Sequence, residues 1–328
     1  YADQGCPEVG WAMGGNNFTA ALVEQHLNER NVNPSNLSSP MIRGVHHFGD
    51  LSYARGAAHI WDAWFQMISV FTTRVPLMIG IGNHEYCHTD GGQDGKDPSL
   101  PYNDISGGGF HPSWSNCFLD SGGECGVPTS KRFTMPSNGN GVFWYSHDVG
   151  SVHTIMISTE HNATKGSVQY DWILQDLQAV NRSITPWIIV EMHRPMYMSE
   201  ARWEQNSVDI GLRYELEDLL YQYQVDLVLA GHYHAYLRSC DGLYRGICNT
   251  DKQGGTYSGP VHITVGTAGA PIDSSSVYQQ NWTVTLLYEW GIGRVTVFNS
   301  TVLHWEFVSA NPGDEGIVKD DTFIIRNR

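Results

Sequence analysis

Short apolar runs recur along the chain, each closed by glycine or a polar turn, with stretches of helical periodicity between them. Residues 18–27 place Phe18, Leu22, Val23, His26 and Leu27 at helical spacing, and a polar, proline-containing loop follows at 31–40. Residues 45–48 read as a strand, 57–73 as a buried helix through Ile60, Trp61, Trp64, Phe65 and Ile68, and 76–80 as the next strand. Two more strands are predicted at 142–146 and 152–158. An amphipathic helix follows at 167–181, with Tyr170, Ile173, Leu174 and Leu177 on one face; then come a strand at 187–190, a helix at 209–224 and a strand at 225–230. From 261 to 308 the pattern becomes strand-rich, at 261–265, 284–289, 294–298 and 302–308. Strand–helix alternation followed by consecutive strands predicts a layered α/β domain with two sheets. Between 87 and 136 regularity is lost, and an irregular insert of that length is usually functional or pinned by disulfides.

Composition narrows the class. A chain of 328 residues, 41% hydrophobic and 12% aromatic, can bury a sizeable core. Its net charge of −15 argues against binding nucleic-acid duplexes. No apolar run approaches the ~20 residues needed to span a membrane. Six cysteines (Cys6, Cys87, Cys117, Cys125, Cys240, Cys248) accompany six Asn-x-Ser/Thr sequons, at Asn17, Asn36, Asn162, Asn181, Asn281 and Asn299. Together they favour a secreted or lumenal glycoprotein. Cys240–Cys248 and Cys117–Cys125 are short-loop candidates for bridges, though spacing leaves the connectivity open. The start, Tyr1-Ala2-Asp3, shows no signal peptide and reads as part of a longer chain.

Candidate chemistry collects at strand ends. Asp3 stands at the start, and Asp50, Asn83, His193 and the pair His232/His234 each follow a short apolar run. In α/β sheets, binding and catalytic groups gather at such positions. Carboxylate and amide oxygens with imidazole nitrogens suit Fe, Zn or Mn, in numbers enough for two ions sharing a bridging carboxylate. His46, His47 and His153 lie inside strand runs and read as structural, and Glu160-His161 reads as a loop acid and base, with support of the ligands from behind as the alternative.

In this order the residues resemble the purple acid phosphatases of the calcineurin-like metallophosphoesterase superfamily. The five blocks of that family are Gly-Asp-x-Gly, Gly-Asp-x-x-Tyr, Gly-Asn-His-Asp/Glu, Val-x-x-His and Gly-His-x-His. They stand here as Ala2-Asp3-Gln4-Gly5, Gly49-Asp50-Leu51-Ser52-Tyr53, Gly82-Asn83-His84-Glu85, Val190-Glu191-Met192-His193 and Gly231-His232-Tyr233-His234. Residues 120–128 are similar to a segment of large plant-type members, some of them nucleotide phosphodiesterases or pyrophosphatases.

The resemblance implies a four-layer α/β/β/α sandwich with two mixed sheets, formed by residues 1–328 as one catalytic domain. The strand that precedes Asp3 in the family, and the N-terminal β-sandwich of large members, are not in this sequence. The resemblance also implies that Asp3, Tyr53 and His234 hold Fe(III), that Asn83, His193 and His232 hold a divalent ion (Zn, Mn or Fe), and that Asp50 bridges the two. Relatives outside the purple subclass carry Asp-x-His in the first block and Gly-Asp-x-x-Asp in the second. Gly5 and Tyr53 occupy those positions here, and a phenolate replacing an imidazole favours Fe(III).

The implied activity is that of an acid phosphatase on small phosphorylated substrates. The alternatives are a nucleotide pyrophosphatase/phosphodiesterase on the same centre, and a catalytically silent binding glycoprotein. His84 is a candidate for contacting phosphate or protonating the leaving oxygen, or else for orienting Asp50. Arg202 and Trp203 stand where the family often carries outer histidines, which makes Arg202 a candidate phosphate clamp and leaves the general acid open.

Overall fold

The apolar stripe near residue 60 folds as helix α2 (Ala58–Thr72), which buries Ile60, Trp61, Trp64, Ile68 and Phe71 at the three- and four-residue steps of one helical face. In the computed structural model, which describes residues 1–6, 14–31, 41–86, 120–199, 210–249, 257–273 and 280–327, α2 lies against α1 (Asn16–Asn31). Both cover a parallel pair of strands, β1 (Val45–Phe48) and β2 (Leu77–Gly80), in a core that includes Leu22, Leu27, Trp61, Trp64, Val45 and Ile79. Short helices α3 (Asn83–Tyr86) and α4 (Val127–Arg132) follow.

The central sheet has seven strands in the order β11-β7-β10-β6-β5-β4-β3. These are β3 (Tyr145–Val149), β4 (Val152–Met156), β5 (Trp187–Glu191), β6 (Leu227–Ala230), β7 (Tyr236–Ser239), β10 (Val261–Val265) and β11 (Thr283–Leu287). Its middle, β4-β5-β6-β10, is parallel, and both edges are antiparallel. Helix α5 (Val168–Ala179) returns the chain from β4 to β5, and its first turn is capped by Ser167, whose Oγ accepts from Tyr170 N at 3.2 Å. A π-helical turn at Arg213–Glu217 continued by α6 (Asp218–Gln222) returns it from β5 to β6. The hairpin β8 (Leu243–Tyr244) and β9 (Ile247–Cys248) follows β7, and an antiparallel trio β12 (Gly291–Val297), β13 (Val302–Ser309) and β14 (Val318–Ile325) ends the chain.

Strand alternation assigns the layers. Ile188 and Val190 of β5, with Val228 and Ala230 of β6, face α5 and α6. Trp187, Ile189, Leu227 and Leu229 face the other way and meet Phe48 of β1 and Leu303, Trp305 and Phe307 of β13. Helices, strands β1-β2 and β12-β13-β14, the seven-stranded sheet and further helices therefore stack as four layers. Residues 1–5 stitch the two sheet layers together: Phe48 N donates to Tyr1 O (3.1 Å) and Ala2 N to Val265 O (3.2 Å).

Several elements depart from the expectations, three of them for reasons visible in the structure. Strand β3 starts at Tyr145, because residues 142–144 form a turn closed by the Asn140–Trp144 bridge. Helix α4 lies within the segment expected to be irregular. Strand β14 was not foreseen, since its polar run Lys319-Asp320-Asp321 hides the alternation; Asp320 is turned onto Tyr236 (2.6 Å) and Arg238 (2.6 Å) of β7.

Candidate metal centre

The loops after β1, β2, β5 and β6 converge with residues 3–5, and backbone hydrogen bonds join them. Asp3 N donates to Gly49 O (3.2 Å), Gln4 N to Asp50 O (3.1 Å), and Gly231 N to His193 O (2.8 Å). Asp3, Asp50, Tyr53 and His232 all have positive φ, between 52° and 66°. Non-glycine residues enter that region at a cost, and clusters of them mark functional sites. Ala2, where the resembled family has glycine, is not among the positive-φ residues, so its methyl adds no backbone strain. Glycine is required by close approach at two points. A Cβ on Gly82 would lie 2.2 Å from Asp50 Oδ1, and one on Gly231 2.3 Å from Ala2 Cβ and 2.7 Å from Asp3 Oδ2.

All seven residues expected as ligands come together, in two groups. In the first, Tyr53 Oη is 3.2 Å from Asp3 Oδ1 and 3.1 Å from His234 Nε2, and His234 Nε2 is 3.4 Å from Asp3 Oδ1. In the second, His193 Nε2 is 3.0 Å from Asn83 Oδ1 and 3.2 Å from His232 Nδ1. Asp50 stands with the second group, its Oδ1 3.3 Å from His193 Nε2, and its charge also acts on the Tyr53 hydroxyl of the first. Donor atoms of Asp50, His193 and His232 lie within 4.8 Å of one another.

The donor set fits cations. His193 Nδ1 faces Phe48 O at 3.2 Å and His234 Nδ1 faces Pro271 O at 2.9 Å, so each ring holds N–H toward a carbonyl and turns Nε2 inward. There Nε2 meets oxygen acceptors whose lone pairs a cation brings into one coordination sphere. The electrostatics agree. Burial alone would lower both imidazoles, but Asp50 and Asp3 raise His193 to about 9, and Asp3 raises His234 to about 9. Burial and the Arg194 cation push His232 well below its ordinary value. Burial would raise Asp50, yet His193 and His84 hold it well below the usual carboxylate range.

Two supporting groups escaped the sequence reading. Glu85 is fully buried and accepts from Asp50 N (2.8 Å), Leu51 N (2.7 Å) and Gly82 N (2.9 Å), locking the two glycine-rich loops together. Arg194 pairs with Glu160 at 2.6 Å and reaches His232 Nε2 at 3.2 Å. The Gly-Asn-His-Glu block already held the first signal, while the second joins residues 34 apart and leaves no local pattern.

His84 donates its backbone N–H to Asp50 Oδ1 (3.0 Å), but its Nε2 is 3.9 Å from Asp50 Oδ2, too long for a hydrogen bond. It is thus the backbone that orients Asp50, while the ring lies against Tyr53 at 4.2 Å with Nδ1 on Asp120 O (3.1 Å). Arg202 and Asn36 lie outside the described residues. Asn17, Asn181, Asn281 and Asn299 are exposed and Asn162 is half-buried. Cys240–Cys248 forms a disulfide; Cys117 lies outside the described residues. His46 is bonded to Glu191 (2.9 Å) and His153 to Asp148 (2.6 Å) and Asp176 (2.8 Å), the structural roles expected of them. A cavity of about 750 Å³, lined by Val45, Val152, Thr154, Glu191 and Trp305 among others, contains none of the candidate ligands.

Fold and site define a calcineurin-like phosphoesterase, whose family description matches residues 20–236. Residues 259–321 match the iron/zinc purple acid phosphatase-like C-terminal region, and the chain belongs to the purple acid phosphatase family. Among curated relatives, one from Arabidopsis thaliana, named probable inactive purple acid phosphatase 9, is 38% identical over 69% of this chain and 33% of its own length. A nucleotide pyrophosphatase/phosphodiesterase from Hordeum vulgare is 30% identical over 82% of this chain and 69% of its own. The solved purple acid phosphatase of yellow lupin (Lupinus luteus) seeds superposes with a TM-score of 0.76 at 27% identity, covering 100% of this chain and 53% of that one. The chain spans 33% and 43% of the length of the first two curated relatives it matches. Among the described residues no helix is long and apolar enough to cross a membrane.

Proposed function

We propose that this chain is a metal-dependent phosphoric ester hydrolase of the acid phosphatase type, with residues 1–328 forming its catalytic domain. The observation that carries this reading is the pair of donor groups sharing Asp50. Asp3, Tyr53 and His234 would hold a ferric ion, Asn83, His193 and His232 a divalent ion (Zn, Mn or Fe), and Asp50 both. When bound, such a pair supplies Lewis-acid charge and an activated water. Burial, then the charges of Asp50 and Asp3, raise the Tyr53 hydroxyl, so Tyr53 calls for the more highly charged ion if it is to bind as phenolate.

The chain's own groups do the rest. Glu85 fixes the Asp50 and Gly82 loops, and backbone N–H of His84 orients the Asp50 carboxylate. With Nδ1 of His84 engaged by Asp120 O, its Nε2 is the atom that contacts the phosphoryl group or hands a proton to the leaving oxygen. The exposed sequons and the disulfide support a secreted or lumenal glycoprotein.

A second reading, hydrolysis of nucleotide pyrophosphates or phosphodiesters on the same centre, is supported by the barley relative, which this chain covers over 69% of its length. The test is a substrate panel at acidic pH on metal-analysed protein: a phosphomonoester, ATP and a nucleotide-sugar. Preference for the monoester supports the first reading, and preference for the nucleotide-sugar the second. Metal-loaded protein that hydrolyses none of them supports the silent binding glycoprotein; several relatives are named probable inactive purple acid phosphatases.

A further inference from the structure

Arg194 is a buried charge beside this centre for which the proposed chemistry has no use. It follows His193 directly and is 5% exposed. Its Nε donates to Glu160 Oε1 at 2.6 Å and its Nη2 to Glu160 Oε2 at 3.1 Å. This two-pronged pairing fixes the guanidinium plane. Glu160 is fully buried, and Thr159 braces the pair: its hydroxyl donates to Glu160 Oε1 (3.1 Å) and accepts from Arg194 N (3.1 Å). Held this way, Nη1 is aimed at the site, 3.2 Å from His232 Nε2. A guanidinium has donors only, two of them on Nη1. One is directed at His232; the other has no partner among the described residues. A buried ion pair alone is weak grounds for added stability, so its place in the site is the better guide to its role.

We propose that Arg194, clamped by Glu160, is an anion-holding residue of the site, donating from Nη1 to a phosphoryl oxygen seated beside Asn83, His193 and His232. This inference rests on the phosphoesterase reading and adds Arg194 to Arg202 as a candidate phosphate clamp. Its chemistry is that of a fixed cation for phosphate monoanions and dianions, a role that lysine's single point charge fills less well.

The test compares wild type, E160Q/R194Q and R194K by elemental metal analysis and by calorimetric titration with inorganic phosphate. The double variant removes both charges, so no lone buried carboxylate is left behind. It is expected to keep the wild-type metal content while binding phosphate roughly 10- to 100-fold more weakly, the loss of one charge-assisted hydrogen bond. If it fails to fold, R194K decides: it keeps the charge but loses the fork, and about fivefold weaker phosphate binding is expected. Phosphate affinity within about twofold of wild type in the decisive metal-loaded variant overturns the proposal. So does a loss of metal with unchanged phosphate affinity in the loaded fraction, which would limit Arg194 to orienting His232. Wild-type protein that takes up no metal at all overturns the phosphoesterase reading itself, a failure distinct from these.

Discussion

Substituting Gly82 by alanine is the sharpest steric probe of the site. The added Cβ would stand 2.2 Å from Asp50 Oδ1 and 2.7 Å from both Asp50 N and His193 Nε2. Ordinary contact begins at 3.4 Å, so Asp50 Oδ1 must retreat by at least 3.4 − 2.2 = 1.2 Å. Metal–ligand distances tolerate about 0.2 Å, and a displacement near 1 Å at a reacting centre costs about 100-fold in rate. Overpacking of this kind costs about 1–3 kcal/mol, which a domain of ordinary stability survives. G82A should therefore fold, with a lowered unfolding midpoint, yet hold less metal and hydrolyse phosphate esters about 100-fold more slowly or worse. Gly44→Ala, whose nearest contact would be 3.5 Å, is the control and should leave both unchanged. Elemental analysis, thermal unfolding and steady-state kinetics on the same preparations decide it. G82A with wild-type metal content and turnover within about threefold would refute the claim that Asp50 and His193 hold cations in this geometry.

Other consequences follow from particular contacts. H84A should lower turnover about 10²- to 10⁴-fold while leaving metal content intact, and unchanged kinetics would remove His84 from both roles considered for it. His153, opposed by burial but held by Asp176 and Asp148, has a raised pKa in the folded state. Its contribution to stability is therefore full below the unfolded value near 6.5 and fades as pH rises through the folded one. H153N should accordingly cost more at pH 5.5 than at pH 9 in denaturant titrations, and an equal cost at both would contradict the assignment. Opening the Cys240–Cys248 bridge, which closes a separation of 8 residues, should lower stability by about 2 kcal/mol, read from the denaturation midpoint of C240S/C248S.

Much of this was legible because the information is local. Helices α2 and α5 declare themselves through apolar residues three and four apart, and the parallel strands through short runs of Ile, Val and Leu closed by glycine. Asp50, Asn83, His193, His232 and His234 are legible for the same reason, each following such a run where the chain must turn, whereas Asp3 stands at the start and Tyr53 enters through the family resemblance. What was hidden depends on distant partners. Strand β14 carries Lys319-Asp320-Asp321, and only the presence of Arg238 and Tyr236 opposite Asp320 explains acids in a strand. Strand β7, just four residues ending in Arg-Ser, offers too short an alternation to read. Glu85 stands inside a recognisable block, but its three backbone partners come from two loops that meet only in the fold. The Arg194–Glu160 clamp likewise needs the loop after β4 beside the loop after β5, which a linear reading of Glu160-His161 as a loop acid and base could not show.

The most direct test of the whole account is the visible absorption spectrum of the purified protein, recorded beside its metal content. Tyr53 bound as phenolate to Fe(III) predicts a coloured protein with a charge-transfer band in the visible, two ions per chain of which at least one is iron, and loss of the band in Y53F. A colourless, iron-free preparation that still hydrolyses phosphate esters would contradict it.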